Sequence, residues 1–307
     1  MLFARGMISR SALAFLLLCA FPVVLMRHPV ARARSLPLSA PPKSGQTAPA
    51  GVHLVSQHAV YDLGLVESAG RQTLSATGSM SYVIQQTCTG WTTRQRLDIE
   101  SVTKAHGPER MVAEYTAQES ADGRHLMFVT QETHDGVLAQ TVSGQASLNP
   151  DGSGRVTYDR PVAKSLGLPA RTLFPIAHMR ALITAAQGGQ TELATPLFDG
   201  TLPDGPEDTY ATLLGWAVPP PGDAMPALAS LAATRAHIAF FERATQTMTP
   251  TYEIGMRYFA NGVSDRLDMD FGDYRMKGTL KTLTLSEPAC PARPSAKTPG
   301  APRRTTP

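Results

Sequence analysis

With 307 residues, 42% of them hydrophobic and 17% charged, the chain has enough apolar material for a sizeable core and does not read as a disordered polymer. Its formal net charge of +3 is too small to argue for a polyanionic partner such as nucleic acid. Three cysteines are too few for a disulfide-dense scaffold or a zinc site built of cysteine alone.

Residues 1–33 read as a secretory signal peptide, with Arg5 and Arg10 ahead of an apolar run, Ser11–Met26, and an Ala31-Arg32-Ala33 cleavage site. The run falls short of the roughly 20 residues of a membrane helix, and Pro22 interrupts it. An uncleaved anchor is the alternative, and Arg27, His28 and Arg32 keep it open. Cys19 follows Leu18, where a lipoprotein signal needs a small residue, so lipidation is not expected. Cleavage removes Arg5, Arg10, Arg27 and Arg32 and no acid. That leaves 24 basic against 25 acidic residues, with no nucleic-acid partner and no stable membrane span expected.

Residues 34–52 form a Pro-, Ser- and Ala-rich leader, and residues 291–307 a Pro-rich tail with Arg293, Lys297, Arg303 and Arg304 as its only charges. Between them, residues 53–290 form one domain. Its dominant period is two. Tyr61, Leu63 and Leu65 alternate with Asp62 and Gly64, and Leu267, Met269 and Phe271 with Asp268 and Asp270. Leu126–Val129 looks like a strand covered on both faces. Further strands are expected over Thr77–Gln86, Thr92–Thr103, Arg110–Gln118, Val137–Ala146, Gly154–Asp159, Asp208–Trp216, Ala236–Arg243, Thr251–Phe259 and Tyr274–Leu285. Turn residues separate them, with Asp135-Gly136 and Asn261-Gly262 expected to make tight hairpins. The fold class is therefore mainly β: a many-stranded antiparallel meander, curled or closed so that its edges are hidden.

One helix stands out, over Leu173–Gln187, with Thr172 as the expected cap, Pro175 in its first turn and Gly188-Gly189 as its stop. Ile176, Met179, Leu182 and Ile183 make its apolar stripe, either a core plug for the sheet or a movable lid over a cavity. A weaker helical turn is expected within Pro226–Thr234.

The histidines show no i, i+4 metal spacing, and no H-E-x-x-H, G-x-S-x-G or P-loop pattern occurs. His125 and His134 could face each other across neighbouring strand positions but read better as surface histidines, and Asp268 and Asp270 read as a solvated strand face. No catalytic, metal or cofactor residues are assigned, no cofactor is expected, and the chain reads as not an enzyme. The two cysteines of the mature chain, Cys88 and Cys290, most economically pair with each other in an oxidising compartment, which reads as a structural bridge.

Several segments together resemble the cell-envelope integrity protein B (EipB) family of Gram-negative alphaproteobacteria. They are Ala59-Val-Tyr-Asp-Leu63, Gly78-Ser-Met-Ser-Tyr82, Thr87-Cys-Thr-Gly-Trp91, Thr172-Leu-Phe-Pro-Ile-Ala-His178, Pro196-Leu-Phe-Asp-Gly200, Asn261-Gly-Val-Ser264, Asp270-Phe-Gly-Asp-Tyr274 and Lys277-Gly-Thr-Leu280. The resemblance implies a periplasmic, non-catalytic protein needed for envelope integrity, and the reading adopted on that basis is that it acts through envelope or periplasmic protein partners. It implies a β-spiral wrapped around one principal α-helix, similar in outline to the LolA and LolB carriers, and the family's paired cysteines fall on Cys88 and Cys290. Ser56-Gln57-His58 departs from the family's Pro-His-Arg before the first of these segments. The alternatives are a carrier that binds an apolar ligand or lipoprotein acyl chain inside the sheet and, with less to support it, a hydrolase of envelope polymers.

Overall fold

A computed structural model describes residues 51–68, 72–243 and 248–287. The expected signal peptide, nearly all of the leader, the basic tail, Cys19 and Cys290 lie outside the described residues. The described chain forms fourteen strands and one α-helix. In chain order the strands are β1 (Ser56–Ser68), β2 (Thr73–Gln86), β3 (Gly90–Thr103), β4 (Gly107–Ser120), β5 (His125–His134), β6 (Val137–Leu148), β7 (Gly154–Arg160) and β8 (Lys164–Leu168). The helix α1 (Pro175–Gln187) follows. Then come β9 (Glu192–Leu197), β10 (Glu207–Ala217), β11 (Ala233–Glu242), β12 (Tyr252–Phe259), β13 (Ser264–Asp270) and β14 (Tyr274–Ser286).

All fourteen strands belong to one sheet in the order β8-β7-β6-β5-β4-β3-β2-β1-β14-β13-β12-β11-β10-β9, and every adjacent pair is antiparallel. The chain thus starts in the middle of the sheet, meanders out to one edge, crosses, and meanders back to lie beside its own first strand. Laid flat, such a sheet would measure roughly 60 Å from edge to edge. Yet Leu168 ends one edge strand, and five residues later Leu173 bridges Leu197 of the other. Five residues reach at most about 17 Å, so the sheet must roll up until its edges almost meet. Residues 171–173 stitch the gap. Leu173 N donates to Pro196 O (2.9 Å), Phe198 N to Leu173 O (3.0 Å), and Thr195 Oγ1 to Arg171 O (2.8 Å). β8 and β9 do not pair directly, so the roll is a spiral and not a closed barrel.

The inward faces fill this roll with one large apolar core, beside a second small cluster of Leu228, Ala233, Phe259 and Val263. Within the large core Phe128, Tyr158, Phe174 and Phe198 meet edge to face, with centroids 5.4–6.3 Å apart. Phe240, Tyr252, Phe271 and Tyr274 form a separate row. The segment after β9 runs through the interior. Tyr115 donates its hydroxyl to Asp199 O (2.9 Å), Thr130 to Gly200 O (3.2 Å) and Tyr158 to Leu202 O (3.1 Å), while Gly205 N donates to the Tyr158 oxygen (3.1 Å). Phe198–Thr201 is buried throughout. These bonds satisfy backbone groups that would otherwise be stranded in an apolar interior.

Several expectations need correction. The helix begins at Pro175, not Leu173, because Leu173 is committed to its bridge with Leu197. Thr172 does not cap it and donates to Pro169 O instead (2.7 Å). β5 is not covered on both faces: Met127 and Val129 are 60% and 44% exposed, so this strand packs through its inward face alone. Asp135-Gly136 does form a two-residue hairpin with both φ positive (49° and 80°). Asn261-Gly262 sits instead in a four-residue loop, where only Gly262 has positive φ and the Asn261 side chain accepts from Val263 N. The short edge strands β8 and β9 were not expected, and the turn near Pro226 is a single 3-10 turn, Pro226–Leu228.

Candidate functional site

Helix α1 is held in the roll by a carboxylate from another strand. Of the amides in its first turn, Pro175 has none, Ile176 N donates to Glu119 Oε2 (2.8 Å), Ala177 N donates to Glu119 Oε1 (2.9 Å), and His178 N donates to Phe174 O (2.8 Å). Every early donor is therefore satisfied without a capping side chain next to the helix in sequence. Glu119 is 5% exposed. Burial raises its pKa to about 7, against the two amides and the charge of Arg180, which favour the ionised form. At the other end Gly189 N donates to Ala186 O and Gln190 N to Ala185 O, with Gly189 at φ +74°, which is a Schellman stop.

The four residues of the apolar stripe, Ile176, Met179, Leu182 and Ile183, are at most 3% exposed. His178 shares their burial. Thr209 donates its hydroxyl proton to Thr195 O (2.8 Å), which leaves its oxygen to accept from His178 Nε2 (3.2 Å). Burial lowers the His178 pKa to about 4, so the ring is neutral.

On the exposed side of α1 lies an open groove of about 570 Å³. The helix contributes Ala177, Arg180, Ala181, Thr184 and Ala185, and Trp91 with the β4–β5 turn (Ser120–Gly123) and Leu193 complete the walls. The Arg180 guanidinium lies 5.5 Å from the centroid of the Trp91 ring. Its Nε is sealed from solvent and has no hydrogen-bond partner among the described residues. Cys88, in the turn just before Trp91, is disulfide-bonded.

Two other clusters were missed or misread from sequence. His125 and His134 lie at opposite ends of β5 and do not face each other. His134 is held between two carboxylates: Nδ1 contacts Glu109 and Nε2 contacts Glu132 Oε1 (2.6 Å). Burial works against its charged form, but the two carboxylates outweigh that and raise its pKa. On the convex face a groove of about 640 Å³ runs across β10–β14 beneath Trp216 and the Pro219–Pro220 segment. Its charges are largely paired. Arg257 binds Asp265 and Asp223, Arg266 contacts Asp223, and Arg275 binds Asp268, whose face is therefore ion-paired and not simply solvated.

A serine–histidine contact, His58 Nε2 with Ser81 Oγ (3.0 Å), lies on the exposed sheet surface. No carboxylate among the described residues orients the other ring nitrogen. Among the described residues no group of three or more His, Cys, Asp or Glu is arranged to hold a metal ion, and no helix is long and apolar enough to cross a membrane.

Comparison with known proteins gives a consistent set of matches. The EipB-like family matches residues 48–287. The cell envelope integrity protein EipB of Brucella abortus (strain 2308) is 31% identical over 246 residues, spanning 78% of this chain and 87% of that protein. A crystal structure described as a beta-barrel-like protein of a domain of unknown function, also from Brucella abortus, superposes with a TM-score of 0.71. It is 29% identical, covering 77% of this chain and all of that one.

Proposed function

This chain belongs to the EipB-like family, and from that premise we propose that it is an exported, non-catalytic protein of the periplasm that supports envelope integrity by binding other envelope proteins. Homology to a cell envelope integrity protein supports the envelope-related role. The observation that carries the choice between scaffold and carrier is the filled interior. Phe128, Tyr158, Phe174 and Phe198 pack edge to face inside the roll, residues 198–201 are buried, and Tyr115, Thr130 and Tyr158 donate to the carbonyls of residues 199, 200 and 202. An acyl chain would have to displace this plug, so the outer surface is the part of the molecule left for partners. The buried stripe Ile176, Met179, Leu182 and Ile183 acts as core and not as lid in this reading. The protein purified from the periplasm is expected to show a lipid-free mass by native mass spectrometry. Cells lacking it are expected to become sensitive to detergent and to recover when the exported chain is restored. Stoichiometric bound lipid, or unaltered detergent resistance, overturns the reading.

A bridge between Cys88 and Cys290 belongs to the same proposal. Ser56 at the start of β1 pairs with Ser286 at the end of β14, and its hydroxyl oxygen accepts from Gln86 N at the end of β2 (2.9 Å). The two strand ends therefore stand about 10 Å apart, two strand spacings. The four residues from Ser286 to Cys290 reach up to about 13 Å. Non-reducing electrophoresis should show the wild type migrating faster than after reduction, with the difference abolished by Cys88→Ser or by Cys290→Ser. Equal mobility before and after reduction counts against the pairing.

A further inference from the structure

We propose that the groove between α1, Trp91 and the β4–β5 turn is a docking site for the free C-terminus of a partner polypeptide, whose α-carboxylate binds Arg180 and whose last apolar side chain lies along Ala177, Ala181 and Ala185. The proposal rests on the protein-binding reading above and names the surface through which it acts.

Three observations carry it. Arg180 differs in its pairing from the other partly buried arginines of the domain. Arg257 and Arg275 are each bound bidentately by a carboxylate, whereas Arg180 has no ion pair among the described residues and a sealed Nε without an acceptor. The nearby carboxylate, Glu119, is not free to answer it, because both of its oxygens are taken by Ile176 N and Ala177 N. A guanidinium resting over an indole ring, with no ion pair among the described residues, leaves its two terminal nitrogens to the two acceptors of an arriving carboxylate, while the sealed Nε stays out of that contact.

The rest of the groove limits what can carry that carboxylate. Its helix face is made of small side chains, Ala177, Ala181, Thr184 and Ala185, and Leu193 forms the opposite wall. The volume of about 570 Å³ lies within the range of sites that enclose a small ligand or a few residues. Gly188 and Gln190 line it beyond the last helical turn. The turn residues Ser120–Gly123 belong to its lining, with Ala121 N and Gly123 N already bonded to Thr89 O and Ser120 O.

The chain has two tryptophans, Trp91 and Trp216, so a Trp216→Phe background makes fluorescence report on the groove. The probes are N-acetylated tetrapeptides ending in Ala, Val, Leu or Phe, each as free acid and as C-terminal amide, with palmitate as a separate arm. At least one free acid is expected to change Trp91 emission saturably. Its amide should bind at least tenfold more weakly, as should Arg180→Gln. Ala181→Leu, which fills the channel without touching charge, should abolish binding while the thermal midpoint stays near that of the wild type. Equal binding of acid and amide, binding of palmitate alone, or no response from any peptide overturns the proposal. If detergent resistance is lost with the protein but survives Arg180→Gln, the groove assignment falls while the envelope reading stands.

Discussion

Replacing Gly200 with alanine is expected to destabilise the domain by about 3 kcal/mol, and the same change at Gly272 by about 1 kcal/mol. Both glycines have positive φ, +75° and +84°, so both variants force an L-residue into the left-handed region. They differ in what a side chain meets. At Gly272 an added Cβ has nothing within 4 Å. At Gly200 it falls 2.3 Å from Cγ of Phe128, a ring held on either side by Tyr158 and Phe198. Relief requires Phe128 to move or the plug segment to withdraw, and withdrawal breaks the bonds from Tyr115 and Thr130 to residues 199 and 200. For a domain of this size the Gly200 variant should melt roughly 10 °C lower and the Gly272 variant only a few degrees lower. Equal shifts would mean that the backbone conformation alone sets the cost and that the interior is not tightly plugged.

That contrast also marks what a single sequence discloses. The alternation of Tyr61, Leu63, Met269 and Phe271 is a local property, and Asp135-Gly136 closes its hairpin with φ values only its own residues decide. Strand existence and meander order were therefore legible. The edge strands β8 and β9 were not, because KSLGL and ELATPL are short and weakly periodic, and they become strands by completing the roll. The same holds for the start of α1. Thr172 looked like its cap in sequence, but the cap is Glu119, 57 positions upstream of Ile176 and brought there by the curl of β4. The one trace in the sequence was negative: the first turn has no acidic residue of its own. His134 was misread for a similar reason, since its carboxylates come from β4 and from two positions back on β5, partners that only register defines.

Glu119 and His178 together explain why α1 tolerates two buried ionisable groups, and they give the second large expected effect. Glu119 has its pKa raised from 4.5 to about 7. Between those values the folded state keeps a proton that the unfolded state has released, so this group contributes stability below pH 4.5 that is lost as pH rises to 7. His178 has its pKa lowered from 6.5 to about 4. There the unfolded state holds the extra proton, so its contribution is present above pH 6.5 and is lost as pH falls to 4. Each tilt amounts to about 3 kcal/mol across its window, and over pH 4.5–6.5 the two run in opposite directions. Near pH 5.5 both groups are neutral in the folded chain and carry opposite charges in the unfolded one, so folding exchanges no net proton with solvent on their account.

Removing either group should expose the other. Relative to wild type, Glu119→Gln is expected to gain about 3 kcal/mol as pH rises from 4.5 to 7. His178→Gln, which keeps a nitrogen donor near Thr209, is expected to lose about 3 kcal/mol between pH 4 and 6.5. Both variants should start from a lower absolute stability. In Glu119→Gln the new side-chain amide can accept from only one of the two backbone amides and presents its own N–H groups to the other. In His178→Gln a flexible chain replaces a rigid, buried ring. Urea unfolding at pH 4.5, 5.5, 6.5 and 7.5 resolves these slopes, and comparison with wild type cancels the titration of Glu132 and His134, which all three proteins share. Three parallel curves would show that neither group changes its proton occupancy on folding. In that case Glu119 would hold α1 as an ordinary ionised cap.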